Sequence, residues 1–192
     1  MEKKPFSPVE HVIRSRRTIK KFKQDAISIE TLQEILETAV WAPNHKMREP
    51  WRFIAFVDEG KQQLINALKE EKLQGRMPRP MKPEKEAQLM AVPAFVAVVM
   101  NVDPRPVIFE EDYAAVAALI QNFQLAAWEK GIGTLWSTDQ SIYAPFFHEA
   151  IGVERGEKVV AILHVGYPEV TPKPRERTAL ANKLTIVSTC EA

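Results

Sequence analysis

The sequence predicts an α+β fold, with helices packed around a small mixed β-sheet. Three observations carry that prediction. Long segments of helical period are separated by only a few short apolar runs. Those runs (Trp51 to Val57, Pro93 to Val102 and Lys158 to Val165) are rich in β-branched or aromatic residues, as buried strands are. The 192 residues show no internal repeat and no low-complexity block, so one domain over residues 1–192 is expected, long enough for a full hydrophobic core.

Pro8 to Ser15 reads as a short helix with Val9, Val12 and Ile13 on one face. Ser28 reads as the N-cap of a second helix, with Glu30 in its first turn. Ile29, Leu32, Ile35, Leu36, Ala39 and Val40 then follow helical spacing until Pro43 stops the run. Glu59 to Lys72 returns to that period through Leu64, Ile65 and Leu68. Gln74 to Pro83 is rich in proline and cations and reads as a loop or lid, and Glu84 to Met90 as one or two helical turns. Glu111 to Lys130 is the longest helix, apolar nearly all round and therefore expected to be buried on several sides; Gly131 and Gly133 end it. Leu135 to Ser137 begins a short strand or loop, and Pro145 to Ile151 is a brief helix. Beyond Gly166-Tyr167-Pro168 the chain is Pro- and Arg-rich and reads as extended.

Composition narrows the function classes. A net charge of +1 gives no overall field for nucleic acid or an anionic membrane, so any anion site must be a local cluster. The single cysteine, Cys190, can form neither an internal disulfide nor a Cys-based metal site, which fits a reducing, cytoplasmic location. Met1 to Pro5 lacks the apolar run of a signal peptide, and the longest apolar stretch, Ala91 to Met100, is too short to span a bilayer.

Four segments could carry chemistry. Arg16, Arg17, Thr18 and Lys20 lie together where the first helix ends. Arginine forks match phosphate oxygens and a hydroxyl adds a neutral donor; in an extended segment Thr18 and Lys20 would point the same way. Asn44 and His45 offer polar groups on the loop between Pro43 and Trp51. Gly131 and Gly133 permit close backbone approach, so that Trp136, Ser137 and Thr138 could present an aromatic face and donors to a planar ligand. This is not a dinucleotide fingerprint, because the glycines follow a helix and the third is absent. Arg175 and Arg177 add cations near the C-terminus. Taken singly, each segment also has an ordinary reading: a solvated basic turn, a loop with a satisfied histidine, a helix C-cap, a charged tail neutralised by Glu176. His11, His148 and His164 are scattered without ligand spacing, so no metal site is expected.

Taken together, the segments resemble the nitroreductase family of FMN-dependent oxidoreductases. Four elements occur in the family's order: Arg-Arg-Thr-x-Lys-x-Phe at 16–22, Ala-Pro-x(6)-Pro-Trp-x-Phe at 42–53, Gly-Ile-Gly-Thr-x-Trp at 131–136, and Gly-Tyr-Pro…Pro-x-x-Arg at 166–177. The resemblance runs from about Val9 to Leu180, and Pro-Asn-His-Lys at 43–46 is similar to the small bacterial members. The resemblance implies an α+β homodimer with two FMN sites at its interface. It implies that Arg16, Arg17 and Thr18 grip FMN, with Arg16 facing the phosphate, and that Lys20 lies near the flavin N1 and O2 edge. Asn44 and His45 would come from the other subunit, Trp136, Ser137 and Thr138 would cover the flavin's other side, and Arg175 and Arg177 would complete the phosphate site. The implied activity is ping-pong hydride transfer from NAD(P)H through flavin N5 to a nitroaromatic, quinone or enone, with no catalytic side chain required. A non-enzymatic flavin sensor or carrier, or a site for another phosphorylated ligand, remain the alternatives. His45 to Glu49 depart from the larger members, and the Asn and Lys those members contribute from a mid-chain helix have no assigned counterpart in this sequence.

Overall fold

The computed structural model describes residues 6–74 and 79–188, with only the backbone of 73 and 74. Cys190 and residues 75–78, which include Arg76 and part of the proline-rich loop expected between Gln74 and Pro83, lie outside the described residues. Six α-helices and four strands follow in the order α1 (Pro8–Ser15), α2 (Ile29–Ala39), β1 (Trp51–Val57), α3 (Lys61–Gln74), α4 (Pro83–Met90), β2 (Ala94–Asn101), α5 (Pro106–Glu129), β3 (Gly133–Ser137), α6 (Pro145–Ala150) and β4 (Glu157–Gly166).

Local chemistry sets the helix boundaries. Ser7 and Glu10 form a reciprocal capping box at the start of α1, where Pro8 supplies a first-turn φ. The Ser28 hydroxyl accepts from the Thr31 amide at 3.1 Å and starts α2 where the sequence predicts it. Helix α5 begins five residues before the predicted Glu111, with Pro106 in its first turn. Gly131 ends it at φ 74°, a conformation that carries little penalty only without a Cβ.

The sheet order is β1-β2-β4-β3, and every pair of named strands is antiparallel. Its mixed character lies in one parallel bridge, between Thr18 and Thr134. Strands β2 and β4 are central and covered on both faces, which explains their unbroken apolar runs. On one face α2 and α5 pack Leu32, Ile35, Leu119 and Phe123 against Val96, Val98, Leu163 and Val165. On the other, α3, α4 and α6 pack Leu64, Ile65, Leu89 and Phe147 against Phe95, Ala97 and Ile162. Among the described residues no helix is long and apolar enough to cross a membrane.

Two bridges outside the named strands bring the chain ends together. The segment after α1 runs beside β3, with the Ile19 amide donating to the Thr134 carbonyl at 3.0 Å. It then passes to the segment beyond β4, where Phe22 bridges Pro168, the Lys23 amide donates to the Tyr167 carbonyl at 2.9 Å, and the Glu169 amide donates to the Lys21 carbonyl at 3.1 Å. Ile19 and Phe22 are buried and pin this strap, while Thr18 before them and Lys20 and Lys21 between them stay exposed.

Gly133 does not help to end α5, as the sequence reading expects; it is the first residue of β3 and the point where the strap touches the sheet. A Cβ there would overlap the buried Ile19 side chain and come within 3.1 Å of Pro168 Cγ. Gly133→Ala should therefore cost about 2 kcal/mol through overpacking and lower the thermal midpoint by roughly 4–8 °C. An unchanged midpoint in thermal unfolding would show that the strap is not fixed to β3.

Candidate functional site

The strap places Arg16, Arg17, Thr18 and Lys20 on the wall of a cavity of about 1080 Å³. Thr18 and Lys20 do share this wall, with Ile19 turned into the core between them. Arg175 and Arg177 line the opposite side, carried there because the segment beyond β4 is bridged to the strap. Arg14, Lys21 and Lys173 add further cations, and among the described residues no Asp or Glu lines the cavity. Cations from both ends of the described chain thus converge on one space without a neutralising carboxylate.

The guanidinium groups divide the work. Arg17 Nη1 donates to the carbonyls of Arg14, Ser15 and Arg16 at 2.7, 2.8 and 2.9 Å, so it closes the C-terminal end of α1. Its Nε is buried without a partner. Arg16 Nη1 is likewise buried and unpartnered. Burial, and then the nearby charges of Arg17 and Arg177, make the Arg16 guanidinium easier to deprotonate than usual. A buried charged donor with no acceptor and like charges around it is unfavourable unless an anion completes the set. Helix α1 is itself anchored by Trp128 Nε1, which donates to the Ser15 hydroxyl at 2.9 Å, and the start of β3 by Gln124 Nε2, which donates to the Thr134 hydroxyl at 3.1 Å.

Lys20 also lines a second cavity of about 470 Å³, together with Trp136, Ser137 and Thr138 from the end of β3. Lys85, Gln88 and Leu89 of α4, Asp139 and His164 of β4 complete it. Burial alone would raise the Asp139 carboxyl, but the Ser141 hydroxyl and amide, and then Lys72 and Lys85, carry it below the usual range. His164 packs edge-on against Phe95, with ring centroids 4.9 Å apart. Burial first and Lys85 second push its imidazole down to about 4, so it is neutral at pH 7. Sequence reasoning missed Lys85, Gln88 and His164 as site residues. The signals available were the i, i+3 spacing of Lys85 and Gln88 on one helix and a lone polar residue inside the run Val159 to Gly166.

Asn44 and His45 line neither of these two cavities. The Asn44 carbonyl oxygen accepts from the Glu49 amide at 3.0 Å and its amide reaches the Ala42 carbonyl at 3.4 Å, so the side chain holds its own loop. That loop has three non-glycine residues at positive φ: Lys46 (55°), Met47 (52°) and Glu49 (45°). Arg48 ties it to α5 by donating from Nε and Nη2 to the buried Asp112 carboxylate, both at 2.9 Å. His45 stands exposed on its outer side.

Comparison with known proteins bears on the two cavities. The sequence model of the nitroreductase family matches residues 13–167. The chain belongs to the nitroreductase family. It is 40% identical over 185 residues to the "Putative NAD(P)H nitroreductase YfhC" of Bacillus subtilis, covering 93% of this chain and 94% of that protein. A crystal structure of a nitroreductase-like family protein from Bacillus cereus superposes with a TM-score of 0.85 at 36% identity, covering 97% of this chain and all of the other. A "putative nitroreductase in complex with fmn" from Desulfovibrio desulfuricans shares the fold at a TM-score of 0.75 and 23% identity, covering 97% of this chain and all of the other. In this nitroreductase-family chain the matched region contains β1 to β4 and the whole strap, while Arg175 and Arg177 lie just beyond it.

The state of His164 has a pH signature. An unfolded histidine titrates near 6.5, the folded one near 4. Between those values the unfolded chain binds the extra proton, so His164 contributes stability above about pH 6.5 that is lost as pH falls toward 4. The full loss is about 3 kcal/mol. Denaturant unfolding of the ligand-free protein from pH 7.5 to 4.5 should show it, and a His164→Gln variant should show a shallower slope; equal slopes would count against a buried neutral imidazole.

Proposed function

We propose that this protein is an FMN-dependent oxidoreductase that takes hydride from NAD(P)H and passes it to a small electrophile such as a nitroaromatic, quinone or enone. The observation that carries the reading is the buried, unpartnered Nη1 of Arg16 among cations supplied by both ends of the chain. A phosphate monoester fits that donor set: it is dianionic, needs several charge-assisted hydrogen bonds, and matches guanidinium geometry. The name of the Bacillus subtilis relative and the FMN held by the Desulfovibrio protein support the same ligand and donor.

In this reading Arg16, Arg175 and Arg177 hold the phosphate, Arg17 fixes the end of α1 so that Arg16 is presented, and Thr18 adds a neutral donor. Lys20, standing between the two cavities, faces the polar edge of the ring, where its ammonium stabilises the negative charge of the reduced state and raises the reduction potential. Trp136, Ser137 and Thr138 cover one side of the ring. The flavin supplies the hydride chemistry at N5, so the chain needs no general base. One pocket used in turn by donor and acceptor makes the kinetics ping-pong.

The second copy of the chain belongs to the same proposal. Helix α1 buries none of its residues, with Val9 67% and Ile13 51% exposed. Trp41, Met47, Val170, Leu180, Ile186 and Val187 are also exposed. This much apolar surface on an N-terminal helix, the α2–β1 loop and the C-terminal arm fits a homodimer interface. In it, Asn44 and His45 would reach the flavin of the partner. Sedimentation should give twice the 21.8 kDa chain mass; an FMN-loaded monomer would remove this part of the reading.

The cofactor assignment is tested with purified protein and FMN. The protein should be yellow and should bleach on NADPH or NADH. Arg16→Ala should lose about 1.5–3 kcal/mol of FMN affinity, or roughly 10- to 150-fold in Kd, whereas the exposed Arg155→Ala should change nothing. Colourless protein that leaves FMN fluorescence untouched would refute the proposal.

A further inference from the structure

The proposed activity leaves Lys85, Gln88 and His164 of the second cavity without a role, and of these His164 is the most buried. It is 8% exposed, on a central strand, between Phe95 of β2 and Leu135 of β3 in the sheet register. Its neighbours on that face are Phe95, Ala97 and Ile162, where a hydrocarbon side chain would pack equally well. No described residue hydrogen-bonds either ring nitrogen, and the ring borders the cavity that Lys20, Lys85, Gln88, Trp136 and Asp139 also line. With no partner from the described residues, the ring can exchange hydrogen bonds only with what occupies the cavity it borders.

The contents of the cavity follow from its neighbour. Lys20 lines both spaces, so a mononucleotide whose phosphate lies among the arginines extends its ring past Lys20. The ring has one hydrocarbon edge and one imide edge, carbonyl–N–H–carbonyl. A hydrocarbon edge would leave His164, Lys85 and Gln88 all unpaired. The imide edge offers two acceptors and a donor to two ammonium groups, an amide and an imidazole that can give one hydrogen bond and take another. Leu89, Val92, Leu135 and Trp136 supply the apolar walls.

We propose that His164 is a ligand-contacting residue of the flavin site, a neutral imidazole that hydrogen-bonds the pyrimidine edge of the isoalloxazine beside Lys20 and Lys85. The inference rests on the FMN reading above. His164 differs from the cations in what it does: it fixes the ring's edge by direction without adding charge. When it donates to a carbonyl, its hydrogen bond strengthens as reduction places negative charge on that carbonyl.

The test separates the two ends of the ligand. Wild type, His164→Leu, His164→Gln and Arg16→Ala are each titrated with FMN and with riboflavin, which lacks the phosphate, following quenching of flavin fluorescence. His164→Leu should weaken both ligands by the same factor, about tenfold. Arg16→Ala should weaken FMN and leave riboflavin unchanged. His164→Gln, which keeps a neutral donor and acceptor, should recover most of the loss, and the thermal midpoint of each ligand-free variant shows that it is folded. The two-electron midpoint potential of bound FMN should fall in His164→Leu by about 30 mV, a tenfold difference between redox states, a shift that a purely structural role would not produce. Wild type that binds FMN, with His164 variants unchanged in both affinities and in potential, overturns this inference alone; wild type that binds no flavin overturns it together with the proposed function.

Discussion

The organising constraint of this structure is the repulsion among guanidinium and ammonium groups brought to one cavity with no carboxylate beside them. Arg16, Arg17, Arg175 and Arg177 come from segments more than 150 residues apart, and nothing in the local sequence of either end requires the other. Elsewhere in the fold several cations are paired with carboxylates: Arg48 with Asp112, Arg52 with Glu157, Lys69 with Glu86. The cavity where the strap, α5 and the C-terminal arm meet gathers cations without such partners among the described residues. Protein stability is small beside the cost of several crowded, partly desolvated cations. The arrangement suits an anion, in keeping with the phosphate proposed above.

Backbone pairing, rather than side-chain attraction, holds the cations there. The strap is fixed to β3 by Thr18 and Ile19 and to the segment beyond β4 by Lys21, Phe22 and Lys23. Ile19 and Phe22 add buried apolar area on the inner side. The hydrogen bonds and the two apolar anchors offset a repulsion that would otherwise separate the chain ends, and the glycine at 133 exists because the approach of Ile19 leaves no room for a side chain. The site is thus built by the sheet edge, and its charge is a consequence of where that edge leads.

This division explains what the sequence makes legible. The strands at 51–57, 94–101 and 157–166 and the helices α1, α2 and α6 follow from periodicity and capping, because their signals are local. The early start of α5 was signalled by Pro106 but obscured by the mixed aromatic and acidic residues from Phe109 to Asp112, whose burial is decided by Arg48, some 60 residues away in sequence. Family-like motifs named Arg16, Thr18, Lys20 and Trp136 to Thr138, and each lines a cavity. Lys85, Gln88 and His164 had no motif, since α4 and β4 meet them only through tertiary packing. Asn44 carries a motif, yet its polar groups are engaged within its own loop, so recognition of its position did not reveal its local task.

The two cavities separate two kinds of polar chemistry, and burial draws the line between them. In the arginine-lined cavity the groups remain charged and converge on one point, which suits an anion whose charge is the same in every redox state. Around the second cavity, burial and Lys85 hold His164 neutral, while Lys20 stands at the junction of the two spaces. A ring that alternates between neutral and anionic forms would be trapped in the reduced form by too many cations and left without stabilisation by none. One or two ammonium groups with a directional neutral partner give an intermediate response, in which reduction is assisted without being locked. In the proposed flavin site, the apolar surroundings of the sheet would let His164 act through a directed hydrogen bond rather than through charge.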